Sequence, residues 1–229
     1  SGEQKSLLQK YMPNATIIDM LGASEGGPFG IAMTAPNEDP IATAVFIAPP
    51  NAVTFNDETW EPLPRGSSTP GVLGVSGPMP QGYFRDEAKS AQTFKVINGV
   101  RYTIPGDYAL IDAQGVMQLL GRGSVCINSG GEKIYPEEVE VVARSIAGIA
   151  DCTVVGVPDD RFGNAVTAVV SRLPGATIST EELLTEMRKT LAAYKCPRHV
   201  LFVDAVYRSP SGKADYNITR DIAVNLLKG

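Results

Sequence analysis

The chain has 229 residues, enough for one large domain or two small ones, and its 43% hydrophobic and 20% charged residues suit a packed core and exclude a disordered polymer. Its 20 Lys and Arg against 25 Asp and Glu leave a net charge of −5, which argues against nucleic-acid binding through clustered basic residues. A single histidine, His199, rules out a multi-histidine zinc site, and three scattered cysteines without a C-x-x-C pair rule out a cysteine zinc site or a disulfide scaffold.

Cys126, Cys152 and Cys196 therefore read as reduced thiols of a cytoplasmic protein. No apolar run reaches the roughly 18–20 residues that a membrane helix needs, and no signal peptide opens the chain. Ser1-Gly2, with no initiator Met, reads as a tag remnant, so the 229 residues are expected to be a piece of a longer protein.

In chain order, Gln4 to Tyr11 looks helical and is ended by Pro13-Asn14. Thr16 to Leu21 reads as a buried strand running into the polar turn Gly22–Gly27, the kind of strand-to-turn junction where glycine lets backbone approach a ligand. From Pro28 to about Leu120 helical periodicity is absent. Short apolar runs (Ile41–Ala48, Gly71–Val75, Val100–Ile104, Tyr108–Ile111, Val116–Leu120) alternate with Pro, Gly and Asn turns, which predicts a β-rich, barrel-like unit.

The pattern changes at Gly121–Ser124, and the boundary is placed after residue 121. Pro136-Glu137-Glu138 opens a helix with Val139, Val142, Ala143 and Ile146 on one face. Asp151–Val157, Ala165–Ser171 and Val200–Val203 read as strands. Ser179-x-x-Glu182 is a capping box before Leu183, Leu184, Met187 and Leu191, and a last helix after Thr219 is expected to turn Ile222, Ala223, Leu226 and Leu227 inward. Residues 122–229 thus form a small α+β domain, and 1–121 an α/β and β-rich portion.

The generic phosphate loops fail: Tyr207 stands where G-x-x-x-x-G-K-[ST] needs its first Gly, and Cys126 where G-x-G-x-x-G needs its third. What remains is a series of polar islands in glycine-rich turns. Taken singly, Glu25 reads as a solvated turn acid, Asp107 as a turn former, Arg122 and Lys213 as surface charges, and Ser129-Gly130-Gly131 as a loop before a helix.

Their order is more informative. Leu21-Gly22-Ala23-Ser24-Glu25, Gln81-Gly82-Tyr83-Phe84, Tyr102 to Asp107, Gly121-Arg122, Ser129 to Glu140, Val154 to Asp159 and Pro210-Ser211-Gly212-Lys213 follow one another with a spacing that resembles the C-terminal part of the acyl-CoA synthetases, within the adenylate-forming superfamily. The resemblance covers nearly all of the chain from Asn14 onward. It implies that 1–121 is the end of a large adenylating domain with a β-barrel-like subdomain, and that 122–229 is the mobile C-terminal domain. Such enzymes join a carboxylic acid to coenzyme A with ATP and Mg²⁺ through an acyl-AMP.

On that resemblance, Lys213 is the catalytic lysine, Glu25 the Mg²⁺ ligand, Ser24 a phosphate contact, and Asp107 and Arg122 the ribose contacts. The backbone from Met20 to Gly22 lies along adenine, with Leu21 where relatives often carry an aromatic, and Ser129, Gly130 and Gly131 face the pantetheine thiol. Ser124 stands where many relatives place an acidic hinge, and Gly71-Val72 where they read Gly-Glu. The triphosphate-gripping loop and most of the acyl pocket are expected upstream, in a missing N-terminal part of the same enzyme, so these residues alone are expected to be inactive. The run Gly121 to Asn128 resembles actinobacterial enzymes for long-chain or steroid-derived acids. Two readings compete: an adenylation domain with another acceptor, of peptide-synthetase or luciferase type, and a non-catalytic nucleotide-binding module. The sequence leaves a homo-oligomer open.

Overall fold

The computed structural model describes residues 2–38 and 44–228, with backbone alone for 2–4. Ser1 of the supposed tag remnant, and Ile41, Ala42 and Thr43 of the run Ile41–Ala48, lie outside the described residues. The chain divides into two compact units, Ser1–Gly123 and Ser124–Gly229.

The first unit opens with helix α1 (Gly2–Tyr11), ended at Pro13 as its sequence predicts, and continues through β1 (Ile17–Ala23), β2 (Gly27–Thr34), β3 (Val45–Ile47), β4 (Ala52–Phe55), β5 (Gly71–Ser76), α2 (Glu87–Thr93), β6 (Phe94–Ile97), β7 (Val100–Thr103), β8 (Asp107–Ile111) and β9 (Val116–Arg122). The nine strands form one sheet in the order β1-β2-β3-β9-β8-β5-β7-β6, with β4 paired to β5. Antiparallel ladders and short strands match the barrel-like expectation, but the sheet is an open path with β1 and β6 at its ends, not a closed barrel. One core gathers Phe29, Leu73, Val75, Ala109 and Met117; another sets Phe55, Val72 and Ile104 under Trp60, Tyr102 and Tyr108.

Two expectations change in this unit. Helix α2 lies inside the stretch read as free of helix: seven residues are too short to show a helical period, and its cap is local, with the Asp86 carboxylate accepting from the Lys89 amide at 2.9 Å. Strand β1, read as buried, alternates instead. Asp19 on its covered face pairs with Lys5 of α1, while Ile18 and Met20 are 57% and 64% exposed. Ile18 pairs across the ladder with Met33, Met20 with Ile31, and Ile31 with Ile47, all exposed, so an apolar row crosses three strands on one face.

The second unit carries the hairpin β10 (Ile127–Ser129) and β11 (Glu132–Ile134), then α3 (Pro136–Arg144), β12 (Ile149–Asp159), β13 (Gly163–Arg172), α4 (Thr180–Met187), β14 (His199–Phe202) and α5 (Tyr216–Lys228). β12 and β13 are antiparallel, and β13 and β14 parallel. Cys152, Val154, Val166, Ala168 and Val170 face Val139 and Ala143 of α3 and Leu183 and Met187 of α4, whereas Val155, Val157, Ala165 and Val169 face Ala223 of α5. Both sheet faces are covered, which is why these strands read as continuous apolar runs. The capping box at Ser179 and Glu182 forms as its sequence predicts. Helix α5 starts at Tyr216, earlier than expected, because the Asp215 carboxylate accepts from the Ile218 amide and caps it there. Its Leu226 and Leu227 are 49% and 40% exposed rather than inward, since Ala223 and Thr219 make the buried contact.

Gly71, at the start of β5, is packed closely against β4 and Leu63. A β-carbon there would stand 2.7 Å from Leu63, 2.8 Å from Thr54 and 2.9 Å from the Phe55 carbonyl. Gly71→Ala is expected to destabilise the first unit by about 1–3 kcal/mol, as overpacking does. Urea denaturation of the 229-residue chain measures this, and a loss below about 0.5 kcal/mol would mean that the two strands separate at little cost.

Candidate functional site

The candidate residues of the first unit gather where β1 ends, where β7 turns into β8 and where β9 ends. β1 and β2 are joined by a tight turn in which the Gly26 amide donates to the Ala23 carbonyl at 3.2 Å. A β-carbon on Gly26 would lie 2.9 Å from Thr103, so glycine is what lets this turn rest on β7. The fully buried Thr103 hydroxyl donates to the Glu25 carbonyl at 3.0 Å.

The Glu25 carboxylate is held from both sides. The Tyr83 phenol donates to Oε1 at 2.5 Å and the Ser24 hydroxyl to Oε2 at 2.7 Å. These two bonds, the Tyr83 bond first, hold the Glu25 carboxyl below its usual range, and the same bond raises the Tyr83 phenol. Tyr83 is itself fixed: its amide donates to the Ser90 hydroxyl at 2.7 Å and the Lys89 ammonium lies 4.1 Å from its ring centre.

Asp107 and Arg122 are direct partners in the β8–β9 ladder, with Arg122 Nε 3.4 Å from Asp107 Oδ1. The Asp107 side chain is 17% exposed and that of Arg122 64%. Burial pushes the Asp107 carboxyl up, the Arg122 charge opposes this, and the Glu25 carboxylate adds to it. Gly106, in the left-handed region at φ 95°, accepts from the Gly123 amide at 3.0 Å and ties the turn before Asp107 to the strand end after Arg122. Of the remaining residues here, Leu21 packs against the core around Phe29, and Gly22 is exposed beyond a register shift in β1.

In the second unit, Lys213 and Ser129–Gly131 lie on two different turns. Lys213 is exposed on a loop that closes on itself: the Gly212 amide donates to the Ser209 carbonyl at 2.8 Å, Ser209 to the Lys213 carbonyl at 2.9 Å, and Lys213 to the Ser209 hydroxyl at 3.2 Å. Arg208 and Ala214 bridge beneath it. Gly130 and Gly131, both at positive φ (62° and 91°), form the two-residue turn between β10 and β11, so the segment is a hairpin rather than a plain loop before α3. The Gly130 amide donates to the Phe162 carbonyl at 2.9 Å, which seats this turn on the β12–β13 connection, and Ser129 beside it is buried.

Sequence reading gave no role to Tyr83 or Thr103, although both stand in the quoted runs Gln81–Phe84 and Tyr102–Asp107. The available signal was a phenol and a hydroxyl in glycine-rich turns. Glu25 is a sound partner for Mg²⁺. It is ionised, its oxygens keep lone pairs beyond the two bonds they accept, and Mg²⁺ is commonly held by one or two carboxylates together with phosphate oxygens and water. Among the described residues no group of three His, Cys, Asp or Glu could hold a metal without such help.

Residues 138–213 match the AMP-binding enzyme C-terminal domain. The matched stretch lies wholly in the second unit. Over 217 residues, 95% of the chain, it is 45% identical to a medium/long-chain-fatty-acid–CoA/3-oxocholest-4-en-26-oate–CoA ligase of Mycobacterium marinum, and spans 39% of that protein's length. It is similar to ATP-bound MatB from Rhodopseudomonas palustris (32% identity, TM-score 0.76, 92% of this chain and 41% of that one). It is also similar to the amide bond synthetase McbA from Marinactinospora thermotolerans (27% identity, TM-score 0.80, 97% and 44%). These alignments take in both units, while the chain spans about two fifths of the length of the proteins it matches.

Removing the Tyr83 hydroxyl takes away the largest influence on Glu25. In Tyr83→Phe the Glu25 titration is expected to move up toward the ordinary carboxylate range, as followed by carboxyl ¹³C NMR across pH in the 229-residue chain. An unmoved titration would mean that the phenol does not govern this carboxylate.

Proposed function

We propose that these residues are the C-terminal part of an AMP-forming acyl-CoA ligase that activates a fatty or steroid-derived carboxylic acid. The observation that carries this reading is the joint placement, in one unit, of an ionised Glu25 and a recessed Asp107 paired with an exposed Arg122, ahead of a second unit that matches an AMP-binding C-terminal domain and exposes Lys213. The name of the Mycobacterium marinum relative supports the substrate class.

The first chemical problem is to bring a carboxylate anion against a phosphate anion. A carboxylate oxygen attacks the α-phosphorus of ATP and pyrophosphate leaves, giving acyl-AMP. The thiol of coenzyme A then attacks the acyl carbon, loses its proton, and AMP leaves. Lys213 contributes a point charge between the carboxylate oxygen and the α-phosphate as negative charge builds there. Glu25 would hold Mg²⁺, which neutralises phosphate charge when bound. Ser24 contacts phosphate, Asp107 accepts from the ribose hydroxyls with Arg122 beside it, and the backbone around Leu21 and Gly22 lies along adenine. The Ser129-Gly130-Gly131 turn lines the thiol's approach, with open space beside Gly131 for a thin pantetheine arm. The short helical turn Gly123–Val125, with Ser124 at its centre, is the proposed hinge between the two half-reactions.

The exposed row Ile18, Met20, Ile31, Met33 and Ile47 supports the reading as a part: it is the face on which the rest of the larger domain sits. A cytoplasmic location fits three free thiols and the finding that no described helix is long and apolar enough to cross a membrane. The similarity to an amide bond synthetase keeps a different acceptor as the second reading, and supplying the acyl-adenylate with coenzyme A or with an amine separates the two.

In the complete enzyme, Lys213→Ala is expected to slow acyl-adenylate formation by about 10²–10³-fold while thioester formation from supplied acyl-adenylate stays within a few-fold. Equal loss of both steps would refute the role given to Lys213. The 229 residues alone are expected to release no pyrophosphate from ATP and a fatty acid.

A further inference from the structure

The second unit holds a cluster of charges that the proposed chemistry does not use. Glu140, on the buried face of α3 beside Val139 and Ala143, is 2% exposed. Its Oε1 accepts from the Val154 amide at 2.9 Å and its Oε2 from Arg144 Nη1 at 3.2 Å, and burial together with the nearby Glu140 charge pushes the Tyr216 phenol up. Arg144 Nη1 also donates to the Cys152 carbonyl at 2.7 Å and lies 3.9 Å from Asp151. Arg208 grips the same Asp151 with both arms of its guanidinium, Nε to Oδ2 at 2.8 Å and Nη2 to Oδ1 at 2.5 Å, and Nη2 reaches the Cys152 carbonyl at 3.3 Å.

Two members of the cluster frame the Lys213 loop. Arg208 stands five residues before Lys213 and bridges to Ala214, and Tyr216 stands three residues after it, at the first position of α5. Between the stems the loop is held by its own short bonds around Ser209. Arg208 ties it to β12 through Asp151 and the Cys152 carbonyl, and Tyr216 packs against the core around Val155 and Val157. We propose that this cluster is a clamp that sets the position of Lys213, and that Arg208 is a positioning residue for acyl-adenylate formation. The proposal rests on the role given to Lys213 above.

The physical case is one of geometry over stability. A buried ion pair adds little net stability over apolar side chains of the same volume, so a carboxylate at an α3 position otherwise suited to Val or Ala is poorly explained by stability. A forked guanidinium–carboxylate pair does fix orientation, because both N–H bonds must be met at once. Burial pushes the Glu140 carboxyl up, and the Val154 amide and Arg144 oppose this, so its charge depends on those partners staying in place.

The test uses the complete enzyme with each half-reaction followed separately. Arg208→Lys keeps the charge and loses the fork; the double variant Arg208→Met/Asp151→Leu removes the pair without leaving either of its charges unpartnered. Both are expected to slow acyl-adenylate formation at least tenfold. Thioester formation from supplied acyl-adenylate is expected within twofold of the parent, with melting little changed. In the 229-residue chain, amide exchange is expected to quicken at Ser209–Lys213 and not in β12 or β13. Unchanged adenylation in both variants, or parallel loss of both half-reactions together with melting temperature, overturns the clamp. Lys213→Ala run alongside separates the two claims: if it leaves adenylation intact, the role of Lys213 fails and the clamp with it; if it stops adenylation while the Arg208 variants do not, the clamp alone fails.

Discussion

The Glu25 carboxyl lies below the ordinary carboxylate range because two hydroxyls donate to it and neither is free to turn away. Ser24 is adjacent in the chain, on a turn pressed against Thr103, and Tyr83 is pinned through the Ser90 hydroxyl and the Lys89 ammonium. Both supports depend on close backbone approach. A side chain at Gly26 would drive the β1–β2 turn off Thr103, and one at Gly82 would run into Ser90, the residue that holds Tyr83. The glycines in these motifs are therefore part of the electrostatics: they set the distances at which hydroxyls meet the carboxylate.

Three carboxylates in the molecule are tuned in different ways. Glu25, half-exposed and bonded by hydroxyls, is lowered; Asp107, largely buried with one long contact to Arg122, is raised; Glu140, nearly sealed, is raised against an amide and an arginine. Desolvation dominates wherever the partner is distant or shared, and hydrogen bonds dominate wherever the group still meets water. This division matches the proposed roles. An accessible, firmly ionised carboxylate suits a cation, and a recessed carboxylate beside an exposed arginine suits neutral hydroxyls. A sealed carboxylate suits holding other residues in place.

The second unit was largely legible in the sequence because its signals are local. Pro136 with two acids opens α3, the Ser179–Glu182 box opens α4, and strands covered on both faces read as unbroken apolar runs. The failures there concern what only packing decides. Leu226 and Leu227 have the right spacing for an inward face, but α5 makes its buried contact a turn earlier, through Thr219 and Ala223. In the first unit, α2 was missed because seven residues cannot show a period, and sheet closure was over-read because short strands and turns are common to barrels and open sheets alike. The site was legible as an order of motifs. The Tyr83–Glu25 bond, spanning 58 residues, carries no local signature and had to be seen in three dimensions.

The most telling discrepancy is β1. A run of Ile17, Ile18, Met20 and Leu21 with one acid reads as a strand covered on both sides, yet only the side facing α1 and the core is covered. The ladder then extends the bare side across β2 to Met33 and Ile31, and on to Ile47 of β3, so the exposed residues are neighbours in space and not isolated surface leucines or isoleucines. An aligned row of this kind on a β-sheet face is a liability in water unless something sits on it. The chain spans only 39% of the Mycobacterium marinum ligase and 41% of MatB. On the reading proposed above, the bare strand face and the partial coverage have one cause: the sequence of β1 is written for a domain larger than these 229 residues, and the turn that carries Glu25 hangs from its end.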